Sequence, residues 1–334
     1  MATRVLVTGA GGFIGHHLVK HLLNLGCWVR GADLKHPEYE ASPAHEFEIL
    51  DLRRWDNCLV ATRGIDEVYH LAADMGGIGY ISFHFGDAAR NNVLASTHML
   101  EASRANGATR FFFSSSACVY PQYLQNMPDV TPLKEEDASP YDPDEGYGWE
   151  KLFTEKLCQY YYDDYGMETR VARFHNVYGP LGTYDGGREK APAAICRKVA
   201  LAGPAEGIDL WGDGLQTRSF MYIDDCVEGI HRLMRSERRQ PLNLGTDHLV
   251  TINELVDVVC RISGKTLEKR HDLTKPQGVR GRNSDNTRLR EVLGWEPSVP
   301  LEEGLAITYR WIENELAKQR SIPSAVSRSG AGGH

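Results

Sequence analysis

Short apolar runs alternate with stretches of helical periodicity through the first half of the chain. The run Arg4–Thr8, for example, is followed by leucines at helical spacing from Leu18 to Leu23. Strands that alternate with helices are typical of an α/β fold, so we expect a Rossmann-type doubly wound parallel sheet. The expected strands are Arg4–Thr8, Trp28–Ala32, Phe47–Leu50, Glu67–Ala73, Arg110–Ser116 and Thr169–Arg173, and the longest expected helices run from about Asp87 to Ala105, Tyr147 to Tyr165 and Leu301 to Lys318.

Beyond about residue 180 the simple alternation is lost. The pattern here predicts a smaller, discontinuous α/β substrate domain. Its expected elements are a helix with Pro192 in its first turn, a strand and turn after Asp209, a helix from Tyr222 and a further helix capped by Ser284 or Asp285. We expect a Rossmann-type domain of residues 1–180 plus about 216–245, and a substrate domain of about 181–215 and 246–320. The Ser-, Gly- and Ala-rich residues 321–334 predict a disordered tail, and the Pro- and acid-rich residues 121–146 predict a loop over the crevice of the sheet.

Composition narrows the class of protein. The chain has 334 residues, 42% of them hydrophobic and 25% charged, which is ordinary for a globular protein. A net charge of −8 argues against nucleic acid or an anionic membrane as the main partner, and no apolar run approaches the ~18 residues of a membrane span. Seven dispersed cysteines without a Cys-x-x-Cys pair predict reduced thiols in the cytoplasm and no metal site, and we expect no signal peptide because the chain enters a strand at once.

Three glycines follow the first strand at the spacing Gly-x-x-Gly-x-x-Gly. Gly9 permits the tight turn, Gly12 lets a pyrophosphate approach the amides at the helix N-terminus, and Gly15 lets the helix pack close to the strand. Glycine-rich turns without ligands exist, but here a strand precedes and a helix follows. The pattern therefore predicts a dinucleotide site.

Acidic residues follow the second and third strands. Asp33 suits a ribose 2′-hydroxyl and repels a 2′-phosphate, which favours NAD over NADP, although a plain loop acid near Lys35 is the alternative. Asp51 and Leu52 suit a contact with adenine. Ligands of a doubly wound sheet bind at the carboxyl ends of the strands, so we expect one crevice to gather Gly9, Asp33, Asp51, Gly76 and Ser116.

A tyrosine and a lysine lie one helical turn apart, at Tyr147 and Lys151. A phenol has a pKa near ~10 and is a poor base at neutral pH, but a nearby ammonium lowers that pKa. Tyr147 could take the proton from a substrate hydroxyl that Ser116 also contacts, while the carbon that bears this hydroxyl gives up a hydride. Taken alone, the spacing is equally compatible with a surface tyrosine beside a solvated lysine.

Together, Thr8-Gly-x-x-Gly-x-x-Gly15, Ser116 and Tyr147-x-x-x-Lys151 resemble the extended short-chain dehydrogenase/reductase family. That family binds NAD(P) in its N-terminal domain and a nucleotide sugar in its C-terminal domain. Further segments resemble the family's 3,5-epimerases of GDP-hexoses: 73–77, 115–121, 173–180, 186–194, 211–220 and 279–286. The likeness extends from Arg4 to about Lys318. The chain departs from these epimerases in a slightly longer loop near 203–207, in Gly15 where they have an alanine, and in a short tail.

The resemblance implies roles for individual residues. Tyr147 is the expected proton acceptor, with Lys151 as its partner and Ser116 beside them. Cys118 and Lys190 are the expected acid/base pair at the sugar carbons. The expected NAD contacts are Gly9, Gly12, Phe13, Ile14, Gly15, Asp33, Asp51, Leu52, Leu71, Ala73, Tyr147 and Lys151. The expected contacts with the nucleotide sugar are Gly76, Ser116, Cys118, Asn176, Glu189, Lys190, Lys198, Gln216, Arg218 and Arg282. The helices from Asp87 and Tyr147 resemble the family's dimer-forming pair, which implies a homodimer.

The implied chemistry needs residues of these types. Oxidation at C4 of the hexose makes the protons on C3 and C5 acidic, and inversion then needs one group on each face of the ring. A thiol starts at a pKa near ~8.5, and a buried lysine can fall toward that range. Without the resemblance, Cys118 could be a small buried hydrophobe and Lys190 a solvated loop lysine.

Three other functions stay open at this stage. A 4-epimerase would use Tyr147 and NAD but leave Cys118 and Lys190 idle. A 4,6-dehydratase is disfavoured because such enzymes usually carry an Asp-Glu pair where Ala117-Cys118 stands here. A non-catalytic NAD sensor or scaffold has no use for Ser116, Tyr147 and Lys151 together.

Overall fold

A computed structural model describes residues 2–76, 84–203 and 206–321 of the chain. The predicted disordered tail beyond Ser321 lies outside the described residues. None of the described helices combines the length and apolar character that crossing a membrane requires.

Within the described residues, seven strands form one fully parallel sheet. They are β1 (Arg4–Thr8), β2 (Trp28–Asp33), β3 (Glu46–Ile49), β4 (Glu67–His70), β5 (Arg110–Ser116), β6 (Glu168–Phe174) and β10 (Leu242–Leu244). Their order is β10-β6-β5-β4-β1-β2-β3, and every neighbouring pair is parallel. Winding reverses between β1 and β4, which is the switch point where such sheets bind ligands. The predicted Rossmann-type doubly wound parallel sheet is confirmed.

Helices cover both faces of this sheet because alternate strand residues point to opposite sides. Phe111 and Phe113 of β5 pack on one side, where the buried cluster also contains Met99 and Leu100, while Phe112 packs on the other side with the cluster of Leu18. The helices of this part are α1 (Phe13–Asn24), α2 (Trp55–Thr62), α3 (Phe85–Ala105) and α4 (Tyr147–Tyr165). The bounds of α4 coincide with the predicted ones, and α3 begins two residues before its expected start.

The remaining strands make two smaller sheets. In the first, β9 (Thr217–Tyr222) pairs in parallel with β7 (Asn176–Tyr178) and β13 (Gly281–Arg282), and antiparallel with β11 (Leu249–Thr251). In the second, β8 (Gly207–Trp211) pairs with β12 (Glu268–Asp272). The helices are α5 (Ala191–Leu201), α6 (Ile223–Arg235), α7 (Ile252–Ser263), α8 (Thr287–Leu293) and α9 (Leu301–Ser321). The division of the chain into two domains stays a prediction.

The N-cap predicted for α8 was wrong by one or two residues. Asn286 is the N-cap, not Ser284 or Asp285. Ser284 is fully buried and its hydroxyl donates to the Asn286 side chain, while the Asp285 carboxylate accepts from the Thr287 amide at 2.9 Å. Sequence preferences for capping do not distinguish among three adjacent residues that all have polar acceptors.

Residues 121–146 form the expected loop, broken by short 3₁₀ turns at Gln122–Gln125 and Glu135–Ala138. Backbone hydrogen bonds tie this loop to the region of β13. The Leu133 amide donates to the Asn283 carbonyl at 3.1 Å, and the Arg280 amide donates to the Gln125 carbonyl at 2.9 Å. The loop therefore links the end of β5 to the strand that carries Arg282.

Candidate active site

A cavity of about 750 Å³ opens at the carboxyl ends of β1, β2, β4 and β5. This volume lies in the range of roughly 300–1,000 Å³ typical of ligand and cofactor sites. Its lining includes most of the predicted cofactor residues together with three of the predicted catalytic ones: Gly9, Gly12, Phe13, Ile14, Gly15, Asp33, Asp51, Leu52, Leu71, Ala73, Ser116, Tyr147 and Lys190. Gly76 is buried and follows Asp74 and Met75 of the same lining.

The glycine turn between β1 and α1 is shaped by close backbone contacts. Gly9 has φ +70°, and a Cβ on Gly15 would lie 2.1 Å from the Gly9 carbonyl oxygen. Gly12 is the N-cap of α1, and no side chain satisfies its first amides. A bare helix N-terminus in a cavity lining is a suitable place for a pyrophosphate.

The acid at the end of β2 is held by backbone amides. Asp33 accepts from the amides of Gly11 and Leu34 at 2.9 and 2.6 Å, and burial raises the pKa of its carboxyl although these hydrogen bonds oppose the shift. A carboxylate fixed beside the glycine turn suits a ribose hydroxyl. Asp51 also lines the cavity, but its carboxylate binds Arg53 through two contacts of 2.8 Å.

The end of β5 and the start of α4 meet at a tight contact. Ser116 ends β5 and caps a 3₁₀ turn by accepting from the Cys118 amide at 3.1 Å. A Cβ on Gly148 would lie 2.4 Å from the Cys118 carbonyl oxygen. Because residue 148 is a glycine, the turn bearing Cys118 approaches the first turn of α4 and brings the thiol near Tyr147.

Tyr147 and Lys151 lie on one face of α4, as predicted, but the expected lowering of the phenol pKa was wrong. Burial raises the pKa of Tyr147 well above its usual value, and Glu150 and Cys118 add to the rise. The Lys151 nitrogen lies 5.2 Å from the centre of the Tyr147 ring. Desolvation of the phenolate outweighs a cation at this distance.

The Cys118 thiol contacts a cation from another sheet. Arg282 donates to the Cys118 sulfur at 3.4 Å and to the Asp144 carboxylate at 3.1 Å. Burial raises the pKa of Cys118, the positive charge of Arg282 opposes this, and Asp144 adds to the rise. Cys118 itself does not line the cavity, although Ser116 and Tyr147 do.

Lys190 lines the cavity and is the N-cap of α5. Burial lowers the pKa of its ammonium, and Arg282 lowers it further, whereas Cys118 and Cys226 oppose this effect. The charges of Cys118 and Arg282 thus act on Lys190, and Lys190 lines the same cavity as Ser116 and Tyr147.

The other predicted substrate residues lie on or beside the smaller sheets. Arg218 and Arg282 are paired neighbours on β9 and β13, and burial together with Arg282 lowers the pKa of Arg218 to about 9. The Gln216 side chain is buried and one of its polar atoms has no partner within the described residues. The remaining side chains have polar contacts: Asn176 to the Ser219 carbonyl, Glu189 to the Gly187 amide and Lys198 to the Asp209 carbonyl.

Sequence reasoning missed several polar residues at the cavity. Asn91, Asn92, His175 and Arg188 all contribute to its lining. Adjacent asparagines inside the helical pattern of α3 were a signal, because asparagine is a poor helix former unless its side chain has a specific partner. His175 gave no such signal; burial lowers its pKa to about 3, so it is neutral.

In the described ranges, no group of three or more His, Cys, Asp or Glu side chains is placed to hold a metal ion.

Comparisons with known proteins agree with this geometry. Residues 5–245 match the model of the NAD dependent epimerase/dehydratase family. The chain is 49% identical over 320 residues to GDP-mannose 3,5-epimerase 1 of Oryza sativa subsp. japonica, covering 95% of this chain and 84% of that protein. Two solved structures are similar to nearly the whole fold. A UDP-glucose 4-epimerase of Thermotoga maritima with UDP-glucose has a TM-score of 0.84 at 28% identity, covering 94% of this chain and 100% of that one. A UDP-glucose 4-epimerase of Thermus thermophilus in complex with NAD has a TM-score of 0.80 at 26% identity, covering 93% and 99%.

Proposed function

The chain belongs to the NAD dependent epimerase/dehydratase family, and we propose that it inverts C3 and/or C5 of GDP-mannose: inversion at both carbons gives GDP-L-galactose, and inversion at C5 alone gives GDP-L-gulose. The observation that carries this proposal is that Arg282 contacts the Cys118 sulfur at 3.4 Å and that both groups act on the charge of Lys190, which lines the same cavity as Tyr147. A 4-epimerase needs only the tyrosine. The sequence relative that shares about half of the residues is named for the 3,5 reaction.

NAD is the cofactor, and the residues of the cavity fit it. Gly9 and Gly15 let α1 pack close to the end of β1, the amides that follow Gly12 at the N-terminus of α1 can bind a pyrophosphate, and Asp33 is held where a ribose hydroxyl can donate to it. When bound, NAD supplies the acceptor and later the donor of the hydride at C4 of the hexose.

Ser116 and Tyr147 act on the C4 hydroxyl. Both line the cavity at the end of β5 and the start of α4, so one hydroxyl can contact both side chains. Tyr147 removes the hydroxyl proton, and the Lys151 ammonium on the next turn stabilises the phenolate. Arg218 and Arg282 provide the fork-like donors that suit a diphosphate.

Cys118 and Lys190 act on the protons beside the C4 carbonyl. Burial disfavours both the thiolate and the ammonium, so the pKa of the Cys118 thiol lies above its usual value and the pKa of the Lys190 ammonium lies below its usual value. Lys190 then accepts a proton from one face of the ring while Cys118 donates one to the other. A second inversion with the roles exchanged restores both groups, which explains how one pair can serve two carbons.

The test is incubation with GDP-mannose in deuterated water, followed by NMR of the recovered sugar nucleotide. We expect deuterium at C3 and C5 and none at C4. UDP-glucose is the comparison substrate. Inversion at C4 of either sugar nucleotide without uptake at C3 or C5 would instead identify a 4-epimerase, and no turnover of either would support a non-catalytic NAD-binding protein.

We propose further that the protein is a cytoplasmic homodimer that associates through α3 and α4. Trp149, Phe153 and Tyr160 recur on one face of α4 and are 48%, 49% and 55% exposed, and Leu94 of α3 is also exposed. An apolar helical face of this size commonly marks an interface. Every cysteine is free in the structure, which suits a reducing compartment.

A further inference from the structure

A carboxylate is buried between the two helical residues of the reaction, where packing alone would favour an apolar side chain. Glu150 is 2% exposed, and its Oε1 lies 3.6 Å from the Lys151 nitrogen. Its Oε2 has no hydrogen-bond partner within the described residues. A buried carboxylate that is only partly paired costs stability, so its presence calls for a function.

The position of this carboxylate is fixed from a second helix. Asn92 of α3 donates to Glu150 Oε1 at 2.9 Å. Asn92 also accepts from the Asp74 amide at 2.6 Å and contacts the Asp74 carbonyl at 3.2 Å. Glu150 is therefore tied to α3 and to the segment after β4, and both Asn92 and Asp74 line the cavity.

We infer that Glu150 is a positioning residue of the reaction: its carboxylate holds the Lys151 ammonium in place beside Tyr147 and offsets part of its charge. The role assigned here to Tyr147 rests on the proposed function. Glu150 touches neither substrate nor the reacting atoms, and it acts through its neighbours on α4. The sequence motif contains Glu150 but gives no reason to single it out, because exposed glutamates are common in first turns of helices.

The charges that face this pair come from three elements. Lys151 faces Glu150 on its own helix and His70 of β4, which is neutral because burial lowers the pKa of His70 to about 3. Tyr147 faces Glu150 and the Cys118 thiol, and both raise the pKa of the phenol. In the described part of the chain, the ion pair recorded for Lys151 is the one with Glu150. Removing that negative charge should therefore favour the phenolate.

The direct test measures Tyr147 in the NAD-bound protein without any substrate. Tyrosine labelled with ¹³C at Cζ reports ionisation of the phenol, and Tyr147→Phe assigns the signal. We expect Glu150→Gln to move the midpoint of this titration about one pH unit lower, since a charge within a few ångströms shifts a pKa by roughly 1–3 units. Equal midpoints in the wild-type and Glu150→Gln proteins would overturn the inference, whatever the enzyme's substrate.

A control variant distinguishes the effect of the charge beside Tyr147 from the effect of removing any buried carboxylate. Glu67 is also buried, and it pairs with Arg235 at the start of β4. Glu67→Gln should leave the Tyr147 midpoint unchanged, and an equal shift in that variant would contradict the proposal.

Kinetics provide the second readout. With GDP-mannose, the acidic limb of kcat/KM should move to lower pH in Glu150→Gln by the same amount as the midpoint. Glu150→Asp keeps the negative charge, so we expect the acidic limb of its kcat/KM profile to lie within about 0.3 pH units of the wild-type limb. Because the side chain is shorter, we expect a several-fold lower kcat. Should Glu150→Gln not fold, a Glu150→Asp enzyme with full kcat would overturn the inference.

Discussion

The guanidinium of Arg282 donates to the sulfur of Cys118 across 3.4 Å, although the two residues are 164 positions apart in the chain. Cys118 follows the central strand β5, whereas Arg282 belongs to β13 of the smaller sheet. The contact therefore exists only when the two sheets are assembled. It places a fixed positive charge against a thiol whose pKa burial raises.

Replacing Arg282 should make the Cys118 thiol less acidic. Burial raises the pKa of the Cys118 thiol, and the positive charge of Arg282 opposes this rise. In Arg282→Met the pKa of Cys118 should therefore rise further, which reduces the fraction of thiolate at pH 8. A rise of one unit lowers the rate of alkylation by iodoacetamide about tenfold. Mass spectrometry of the Cys118 peptide over time measures this rate. Arg270→Gln, at a half-exposed arginine of β12, should react like wild type; faster alkylation of Arg282→Met would contradict the prediction.

Removing either member of the acid/base pair should abolish exchange but keep the cofactor. We expect Cys118→Ala and Lys190→Met each to lower deuterium uptake at C3 and C5 of GDP-mannose by at least ~100-fold, in line with the loss of a general acid or base. NAD binding should change less than about threefold, because neither side chain belongs to the glycine turn or the Asp33 contact. Isothermal titration and NMR measure the two quantities.

The matched control for these variants is Cys260→Ala. Cys260 lies on α7, is only partly buried and has no recorded influence on Lys190. We expect exchange close to wild type in this variant. Exchange that survives in Cys118→Ala would show that the thiol only packs.

An alanine at Gly15 should destabilise this protein. Its Cβ would lie 2.1 Å from the Gly9 carbonyl oxygen, so α1 must shift away from β1. Overpacking of this kind typically costs about 1–3 kcal/mol, and the shift also displaces the amides at the N-terminus of α1. Chemical denaturation and NAD titration should show lower stability and weaker binding.

Gly86→Ala provides the comparison for Gly15→Ala. Gly86 is in α3, and a Cβ there meets nothing within 4 Å. This substitution should be neutral or should stabilise by about 0.5–1 kcal/mol, because alanine is the better helix former. Equal losses in the two variants would refute the steric explanation.

Cofactor affinity should depend on the ionisation of Asp33. Burial raises the pKa of this carboxyl, so its charged form is lost at a higher pH than for an ordinary aspartate. We therefore expect NAD affinity to fall as the pH is lowered through this raised pKa. Asp33→Asn should weaken NAD binding by about tenfold or more, reduce the preference over NADP, and remove this pH dependence.

Calorimetric titration of NAD and NADP between pH 5 and 8 measures these effects. Asp56→Asn changes an exposed aspartate in the first turn of α2 and serves as control. An Asp33→Asn protein that still excludes NADP as strongly as wild type would argue against a ribose contact.

Charges on the exposed face of α4 should prevent association. Trp149→Glu combined with Phe153→Glu places two carboxylates on the proposed interface, where they would be buried without partners. We expect a monomer by analytical ultracentrifugation under conditions in which wild type is a dimer. Tyr123→Glu, at an exposed aromatic residue outside α3 and α4, should leave the dimer intact; an unchanged mass for the double variant would exclude this face.

Much of the architecture could be predicted from local pattern. The glycine turn, the strand ending at Asp33 and the exact span of α4 follow from apolar periodicity and turn chemistry, which depend on near neighbours in sequence. The cap of α8 was misplaced because Ser284, Asp285 and Asn286 have similar local preferences. The pairing of β9 with β7, β11 and β13 could not be predicted from such signals, since strands of two or three residues carry little pattern.

The sequence by itself determined the α/β class, the dinucleotide turn and the residue types available for proton transfer, because these depend on spacing and side-chain chemistry. Only the tertiary structure decided the environment of those side chains. It placed Arg282 on Cys118, buried Glu150 against Lys151, and raised the pKa of Tyr147 where the sequence predicted a fall. The physical reason is that burial and long-range contacts, which set the free energy of each charge, are properties of the assembled fold.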